Sequence, residues 1–399
     1  MKGGEMNKYA ITELSKNVFY VGVKDWNRRI FDALIPLPQG TSYNSYLVKG
    51  SEKTALIDTV NPGFESELAG RIGEVHDIAG IDYIVMNHAE PDHAGAIPFL
   101  MQSNSKALLV TSEKGAKLAQ VYYQVPGERI KIVKDGESIG LGGKTLQFIS
   151  APFLHWPETM FTYLGEDRIL FPCDFFGAHT SFGIYDNDVE DILFLAKSYF
   201  GEIMMPFRNM GEKALEKIKT LKIEIIAPSH GPIYKNPEKI LDVYRLWTAG
   251  TTREKVIVAY VSMWGSIEAM SKTMVDTLRS EEVEVSVFNL VNMDLGDVAR
   301  ELVDSRAIVL GMPTVIGGLH PLALYAAQVV KALRPPLKYG AILNSYGWSP
   351  GTIKQAVEFL GSIKIDVVGS IEINGPPTAN DHEKIKELGR QLSSKVKGK

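Results

Sequence analysis

The chain has 399 residues, of which 45% are apolar and 23% charged, and its net charge at neutral pH is -4. That length exceeds what one hydrophobic core usually fills, so two folded domains are expected, and the composition excludes a largely disordered chain. The slight acidity argues against a protein that holds nucleic acid by counterion release, no run of about 18 apolar residues is present to span a membrane, and the single cysteine, Cys173, leaves neither an intrachain disulfide framework nor a four-cysteine metal site. The opening residues MKGGEMNKYAITELSKNVFYVG lack an apolar targeting core followed by a small-residue cleavage site, so a soluble, cytoplasmic protein is expected.

Up to about residue 245 the apolar runs VFYVGV, YLVKG, TALIDTV, YIVMN, ALLVTSE, TLQFIS, RILFPCD and IEIIAPS read as strands with few long helices between them, which predicts two sheets. The strand ending at YIVMN runs into His88, Glu90, Asp92 and His93, four metal-competent side chains within six residues. Strand periodicity sends His88, Glu90 and Asp92 to similar sides. A polar loop with an Asp helix cap is the bland alternative, and two histidines with two acids at this density argue against it. With one cysteine in the chain, His and carboxylate must hold any metal. His155, Asp174 and His230 each follow an apolar run, at the sheet edge where loops collect functional side chains. Taken singly, each has an ordinary reading as a capped or solvated residue. His179 is a candidate to support a ligand from behind, whereas His76, His320 and His382 read as surface histidines. Cys173, one residue before Asp174 on the same run, is expected to point away from it into the core.

The segment LWTAGTTREK, about 246–255, reads as the boundary. Beyond it VIVAYV, VEVSVFNL, AIVLG, GAILNSYG and DVVGSIEI alternate with helical stretches near 266–280, 297–304, 321–333, 351–361 and 380–396, the rhythm of a doubly wound parallel sheet. The turn Ser262-Met263-Trp264-Gly265-Ser266-Ile267 opens a helix and can offer backbone N–H groups to a phosphate. It is neither a GxxxxGK loop nor a GxGxxG turn, so nucleoside triphosphate and NAD fit poorly. The third strand ends in GMPTVIGG (311–318) and the fourth in NSYGWSPG (344–351), loops able to embrace a flavin ring at the carboxyl edge of the sheet. An ordinary N-cap, with Tyr346 and Trp348 merely covering the sheet edge, is the alternative.

The HxExDH segment with the later His155, Asp174 and His230 resembles the metallo-β-lactamase fold, an αββα sandwich carrying two metals at its sheet edges. Dizinc hydrolases of that fold usually have His where this chain has Glu90, and a carboxylate there hardens the site toward iron. With LHWPE around His155 and FPCDFFG around Asp174, the chain resembles the flavodiiron branch of the fold. The fold class implied is α/β: a metallo-β-lactamase-like domain over 1–250 and a flavodoxin-like, five-stranded, doubly wound domain over 251–399. The resemblance implies that His88, Glu90 and His155 hold one iron, that Asp92, His93 and His230 hold the other, and that Asp174 bridges. It likewise assigns FMN to Ser262, Met263, Trp264, Gly265, Ser266 and Ile267 for the phosphate, with Pro313, Thr314, Val315, Ile316 and Gly317 in the second loop and Ser345, Tyr346, Gly347 and Trp348 in the third. Flavodoxins commonly have Thr where this chain has Ser262, Trp264 and Ile267, which shifts the expected phosphate contacts to backbone N–H groups. The expected activity is reduction of dioxygen to water or of nitric oxide to nitrous oxide, with electrons from a separate rubredoxin-type donor, in a head-to-tail homodimer or a tetramer. The alternatives are a dinuclear zinc hydrolase with a flavodoxin-like regulatory domain, and an FMN electron carrier or sensor with a structural metal site.

Overall fold

The computed structural model describes residues 9–399, which divide into two compact units. One comprises the chain up to Tyr199 together with Phe207–Arg245; the other comprises Phe200–Pro206 with Leu246–Lys399.

In the first unit a seven-stranded sheet runs, edge to edge, Thr12–Ser15, Val18–Tyr20, Tyr46–Lys49, Thr54–Ile57, Tyr83–Val85, Leu108–Thr111 and Ile130–Ile132. A five-stranded sheet runs Ser138–Gly140, Thr145–Ser150, Met160–Leu164, Ile169–Phe171 and Ile225–Ile226. Alternation along the strands gives each sheet an inner and an outer face. Val48, Ala55, Ile57, Val85 and Val110 of the larger sheet share one buried cluster with Leu146, Phe148, Met160, Leu164, Ile169 and Phe171 of the smaller. The intervening residues Leu47, Leu56, Ile84 and Leu109 belong to a second cluster with Leu68 and Ile72 of the helix Glu65–Gly73 and Ile97 and Leu100 of the helix Ile97–Ser103. The resulting layers are helix, sheet, sheet, with Tyr244 of the helix Pro237–Thr248 packing edge-on against Phe175 at 4.9 Å. An expected αββα sandwich is therefore present.

The second unit has strands Lys255–Tyr260, Glu284–Asn289, Ala307–Val315, Tyr339–Tyr346 and Asp366–Asn374, all parallel, in spatial order 2-1-3-4-5. A short antiparallel strand, Gly318–Leu319, is added to the third. The central strands are buried over most of their length because helices cover both faces. The flavodoxin-like order reverses direction between the first and third strands, which opens a crevice at their carboxyl ends.

Several strands end sooner than the apolar runs suggest. RILFPCD is strand only over Ile169–Phe171, and IEIIAPS only over Ile225–Ile226, so Asp174 and His230 stand on loops three and four residues past the last strand residue. Among the described residues no helix is long and apolar enough to cross a membrane.

Candidate metal centre and flavin cavity

Pro91 decides how the dense segment folds. Proline disfavours helical conformation at the residue before it and favours a helix start at its own position. Glu90 is accordingly extended, with φ -66° and ψ 142°, and Pro91–Ala94 forms one helical turn. The strand itself ends at Val85, so its alternation does not reach this segment, and the expected common side for His88, Glu90 and Asp92 is not observed. His88 and Glu90 gather with His155 and Asp174, while Asp92 and His93 gather with His230; within each group one ligand atom per residue lies within 4.8 Å of the others.

The distances describe two adjoining nests around one carboxylate. Nε2 of His88 lies 3.1 Å from Glu90 Oε2 and 3.5 Å from Asp174 Oδ2. Nε2 of His155 lies 2.9 Å from the same Glu90 oxygen and 3.5 Å from the same Asp174 oxygen. On the other side, Asp174 Oδ1 lies 2.9 Å from His93 Nε2 and 3.5 Å from His230 Nε2, and Asp92 Oδ2 lies 3.3 and 3.1 Å from those two nitrogens. All four imidazoles present Nε2, and Asp174 turns one oxygen to each nest.

The donor chemistry fits a pair of cations. Both oxygens of Asp92, both oxygens of Asp174 and both ring nitrogens of His93 are buried without a hydrogen-bond partner. Leaving so many polar atoms unpaired costs free energy unless something else satisfies them. The titration behaviour has the same cause. Burial opposes the charged form of His93, but Asp92 and Asp174 outweigh it and push its pKa up to about 9. Burial opposes ionisation of Asp174, and His93, His88 and His230 overcome it and hold the carboxyl well below its ordinary range. The Glu90 carboxyl is held low by His155 and His88 against the same opposition from burial.

Residues behind the nests set their geometry. Asp58 is buried; it accepts hydrogen bonds from Asn87 N (2.8 Å), Asn87 Nδ2 (3.0 Å) and Ser229 Oγ (3.3 Å). It thus ties the residue before His88 to the residue before His230, and burial pushes its pKa up to about 6. Gly231 lets His230 in: a Cβ there would stand 2.5 Å from the Ala178 carbonyl oxygen. His230 Nδ1 faces the Ser42 carbonyl at 2.7 Å, so it carries the proton and leaves Nε2 free. Thr41 Oγ1 lies 3.0 Å from His179 Nδ1 and 3.3 Å from His230 Nδ1, and the His179 ring stands 4.9 Å from that of His230. His179 Nε2 is buried without a partner, and burial, then His230, holds its pKa well below the ordinary value. Phe31 covers both rings, at 4.9 Å from His179 and 5.8 Å from His230.

Glu158, whose Oε1 lies 2.7 Å from His88 Nδ1, and Tyr199, whose ring stands 4.8 Å from that of His179, escape a reading of the sequence as Asp58 and Thr41 do, because each meets the site only through folding, although Glu158 stands in the quoted LHWPE. Cys173 departs from expectation. It is buried, but it lies past the strand in a turn at φ 50°, with Sγ within 4.8 Å of a His93 nitrogen and an Asp174 oxygen. Burial pushes its thiol up, so it stays protonated. Of the three histidines read as surface residues, His76 has its Nε2 buried.

In the second unit a cavity of about 410 Å³ opens at the carboxyl ends of the strands. All of the expected flavin-loop residues line it except Gly265 and Gly317, and Gly375 and Pro376 join them from the end of the fifth strand. Gly265 caps the helix Ser266–Ser280 in a left-handed conformation (φ 86°) with no side chain bonded to the first turn, so the terminal N–H groups remain open to an anion. Ser262 Oγ is occupied in accepting Gly265 N at 3.1 Å. Ile267 is in the core cluster of this unit, which leaves its backbone, not its side chain, for a phosphate. Trp264, Ile316 and Trp348 stand about the cavity at 90%, 94% and 89% exposure.

The chain is similar to known proteins along nearly its whole length. A profile described as "ODP family beta lactamase" matches residues 41–231. A nitric oxide reductase of Moorella thermoacetica is 36% identical over 392 residues, covering 96% of this chain and 98% of its own. The structure of a rubredoxin oxygen:oxidoreductase from Desulfovibrio gigas superposes with a TM-score of 0.94 at 29% identity, covering 98% of this chain and 99% of that one. A flavodiiron protein from Giardia intestinalis gives the same TM-score at 28% identity, with 99% and 98% coverage.

Proposed function

The chain belongs to the flavodiiron protein family, and from that membership we propose that it is an oxidoreductase that passes electrons through FMN to a diiron centre, reducing dioxygen to water or nitric oxide to nitrous oxide. The observation that carries this reading is the pairing, in one chain, of a carboxylate-rich double nest with a flavin-sized cavity. His88, Glu90 and His155 would hold one iron, Asp92, His93 and His230 the other, with Asp174 between them. Ser262 to Ile267, Pro313 to Gly317 and Ser345 to Trp348 would hold FMN. When bound, FMN takes up electrons singly or in pairs, and the two irons deliver them together to a diatomic gas.

The chain's own residues prepare that chemistry in three ways. Glu90, Asp92 and Asp174 offset the charge of hard cations, while the imidazoles would ligate as neutral donors through Nε2 once the metal displaces their protons. The backbone N–H groups at Ser266 favour a phosphate dianion by their dipole. Burial, then the nearby Asp174 carboxylate, pushes the Tyr199 phenol far up, so Tyr199 keeps its proton beside the nests at any physiological pH. With His179, also buried there, it is the proposed source of hydrogen-bond donors toward a bound gas.

The donor we propose is a small rubredoxin-type protein, the location cytoplasmic, and the assembly a head-to-tail dimer. Large apolar side chains as exposed as Trp264, Ile316 and Trp348 suit a surface that another protein covers. Nothing favours the zinc hydrolase or the simple FMN carrier: the relatives are oxidoreductases, and Glu90 stands where a dizinc site has imidazole. The test is metal and flavin content after anaerobic, iron-replete expression, followed by gas consumption with a reduced rubredoxin. About two irons, one FMN and sustained uptake of dioxygen or nitric oxide are expected. Zinc in place of iron, or uptake no faster than that of free FMN, overturns the reading.

A further inference from the structure

His88 differs from the other imidazoles of the double nest in what stands behind it. Its Nδ1 lies 2.7 Å from Glu158 Oε1, and both side chains are fully buried. The same oxygen accepts Ala89 N at 2.9 Å. A carboxylate is only an acceptor, so Nδ1 of His88 carries a proton toward Glu158, and Nε2, 3.1 Å from Glu90 Oε2, is the nitrogen left to exchange its proton for a metal. In the other nest, Nδ1 of His230 meets a neutral carbonyl, that of Ser42, and Nδ1 of His93 meets nothing.

The count of charges is therefore uneven. Glu90 and Glu158 face the His88 nest directly, Asp92 faces the His93 nest, Asp58 stands behind both, and Asp174 is shared. The Glu158 carboxylate is placed by the loop that also supplies His155. Ser112 Oγ donates to the Glu158 carbonyl at 2.8 Å, and Thr159 Oγ1 donates to the Trp156 carbonyl at 3.0 Å. The Trp156 ring stands edge-on to His88 at 5.1 Å, so solvent does not reach the pair to screen it.

We propose that Glu158 is a positioning residue that makes the two iron positions electronically unequal: through His88 it binds one iron more firmly and favours that iron's ferric state. The inference rests on the diiron reading above. Carboxylates behind a ligating imidazole raise its basicity, and their loss typically costs 10–100-fold in metal affinity.

Glu158→Gln separates charge from geometry, since an amide oxygen can still accept both N–H groups. The experiment compares the iron-loaded parent, Glu158→Gln and Ser112→Ala, the last of which loosens the loop without touching the imidazole. The readouts are iron loss to a chelator and a redox titration followed by electron paramagnetic resonance. In Glu158→Gln one iron is expected to leave roughly tenfold faster and one of the two iron reduction steps to rise by about 59 mV, the equivalent of a tenfold shift. The other step stays where it is, and Ser112→Ala moves neither. Equal behaviour of Glu158→Gln and parent overturns the inference, as does the same shift in Ser112→Ala. If Glu158→Gln does not fold, nitrogen-15 spectra of the zinc-loaded parent decide: a slowly exchanging Nδ1 proton on His88 supports the inference, and its absence overturns it. A parent that takes up no pair of irons overturns the functional reading itself, which the parent's metal content shows before any variant is made.

Discussion

Nε2 of His93 lies 2.9 Å from Oδ1 of Asp174, yet both atoms are buried without a well-formed hydrogen bond. Two groups so close and so poorly aligned toward each other are aimed at something between them. Asp174→Ala removes an oxygen from both nests at once. The variant is expected to retain less than half of the parent's iron while binding FMN as tightly. Full iron content in this variant, measured by elemental analysis, contradicts the shared role.

Metal uptake by the metal-free protein should depend on pH through His93. Its pKa is pushed up to about 9, above the ordinary 6.5, and the proton must leave before Nε2 can ligate. Apparent affinity is expected to rise toward pH 9, by up to roughly tenfold per unit for this one proton. The converse holds for the stability of the metal-free fold. A raised pKa contributes stability that is fully present below about 6.5 and lost as pH rises through about 9. Chelator competition across that window checks the first part and thermal melting the second; flat profiles contradict both.

Gly265 tests the flavin side independently. A Cβ there would meet nothing within 4 Å, so the only obstacle to another residue is its φ of 86°. Left-handed backbone costs a non-glycine residue about 1–2 kcal/mol. Gly265→Val is therefore expected to weaken FMN binding by about 5–30-fold with iron unchanged. Fluorescence titration of the flavin-free protein measures this, and an unaltered dissociation constant contradicts it.

Assembly is tested by complementation. Co-expressing Asp174→Ala chains with chains altered over Ser262 to Ser266 so that they hold no FMN yields mixed dimers in which one chain has a filled flavin cavity and the other a sound double nest. A head-to-tail dimer restores gas reduction in the mixed species. Mixed dimers as inactive as either parent variant contradict electron transfer between chains.

Much of this was legible in the sequence where a local pattern carried it. The second unit alternates strand and helix with turn signals between them, and its elements fall where the apolar periods predict. The segment from His88 to His93 is dense enough to announce a metal site, and the later His155, Asp174 and His230 stand beside it. What a linear reading misplaced has local causes. Strand period was extended through Glu90 although the strand ends at Val85, and through Cys173 although the strand ends at Phe171. What it missed has non-local ones. Glu158 meets His88 across 70 residues, and Ser229 meets Asp58 across 171. Pairings of that kind are made by sheet order, which no window of sequence contains.

The most direct test of the account is the electron count of one turnover. A chain holding reduced FMN and two ferrous irons carries two electrons on the flavin and one on each metal, enough to take one dioxygen to water. The fully reduced protein is titrated with known amounts of dioxygen, without any further electron donor, until it is fully oxidised, and uptake and peroxide are measured together. One dioxygen consumed per chain with no peroxide released, and loss of that behaviour in Asp174→Ala, is the predicted result. Stoichiometric peroxide, released equally by parent and Asp174→Ala, would place the chemistry on the flavin alone and contradict the account.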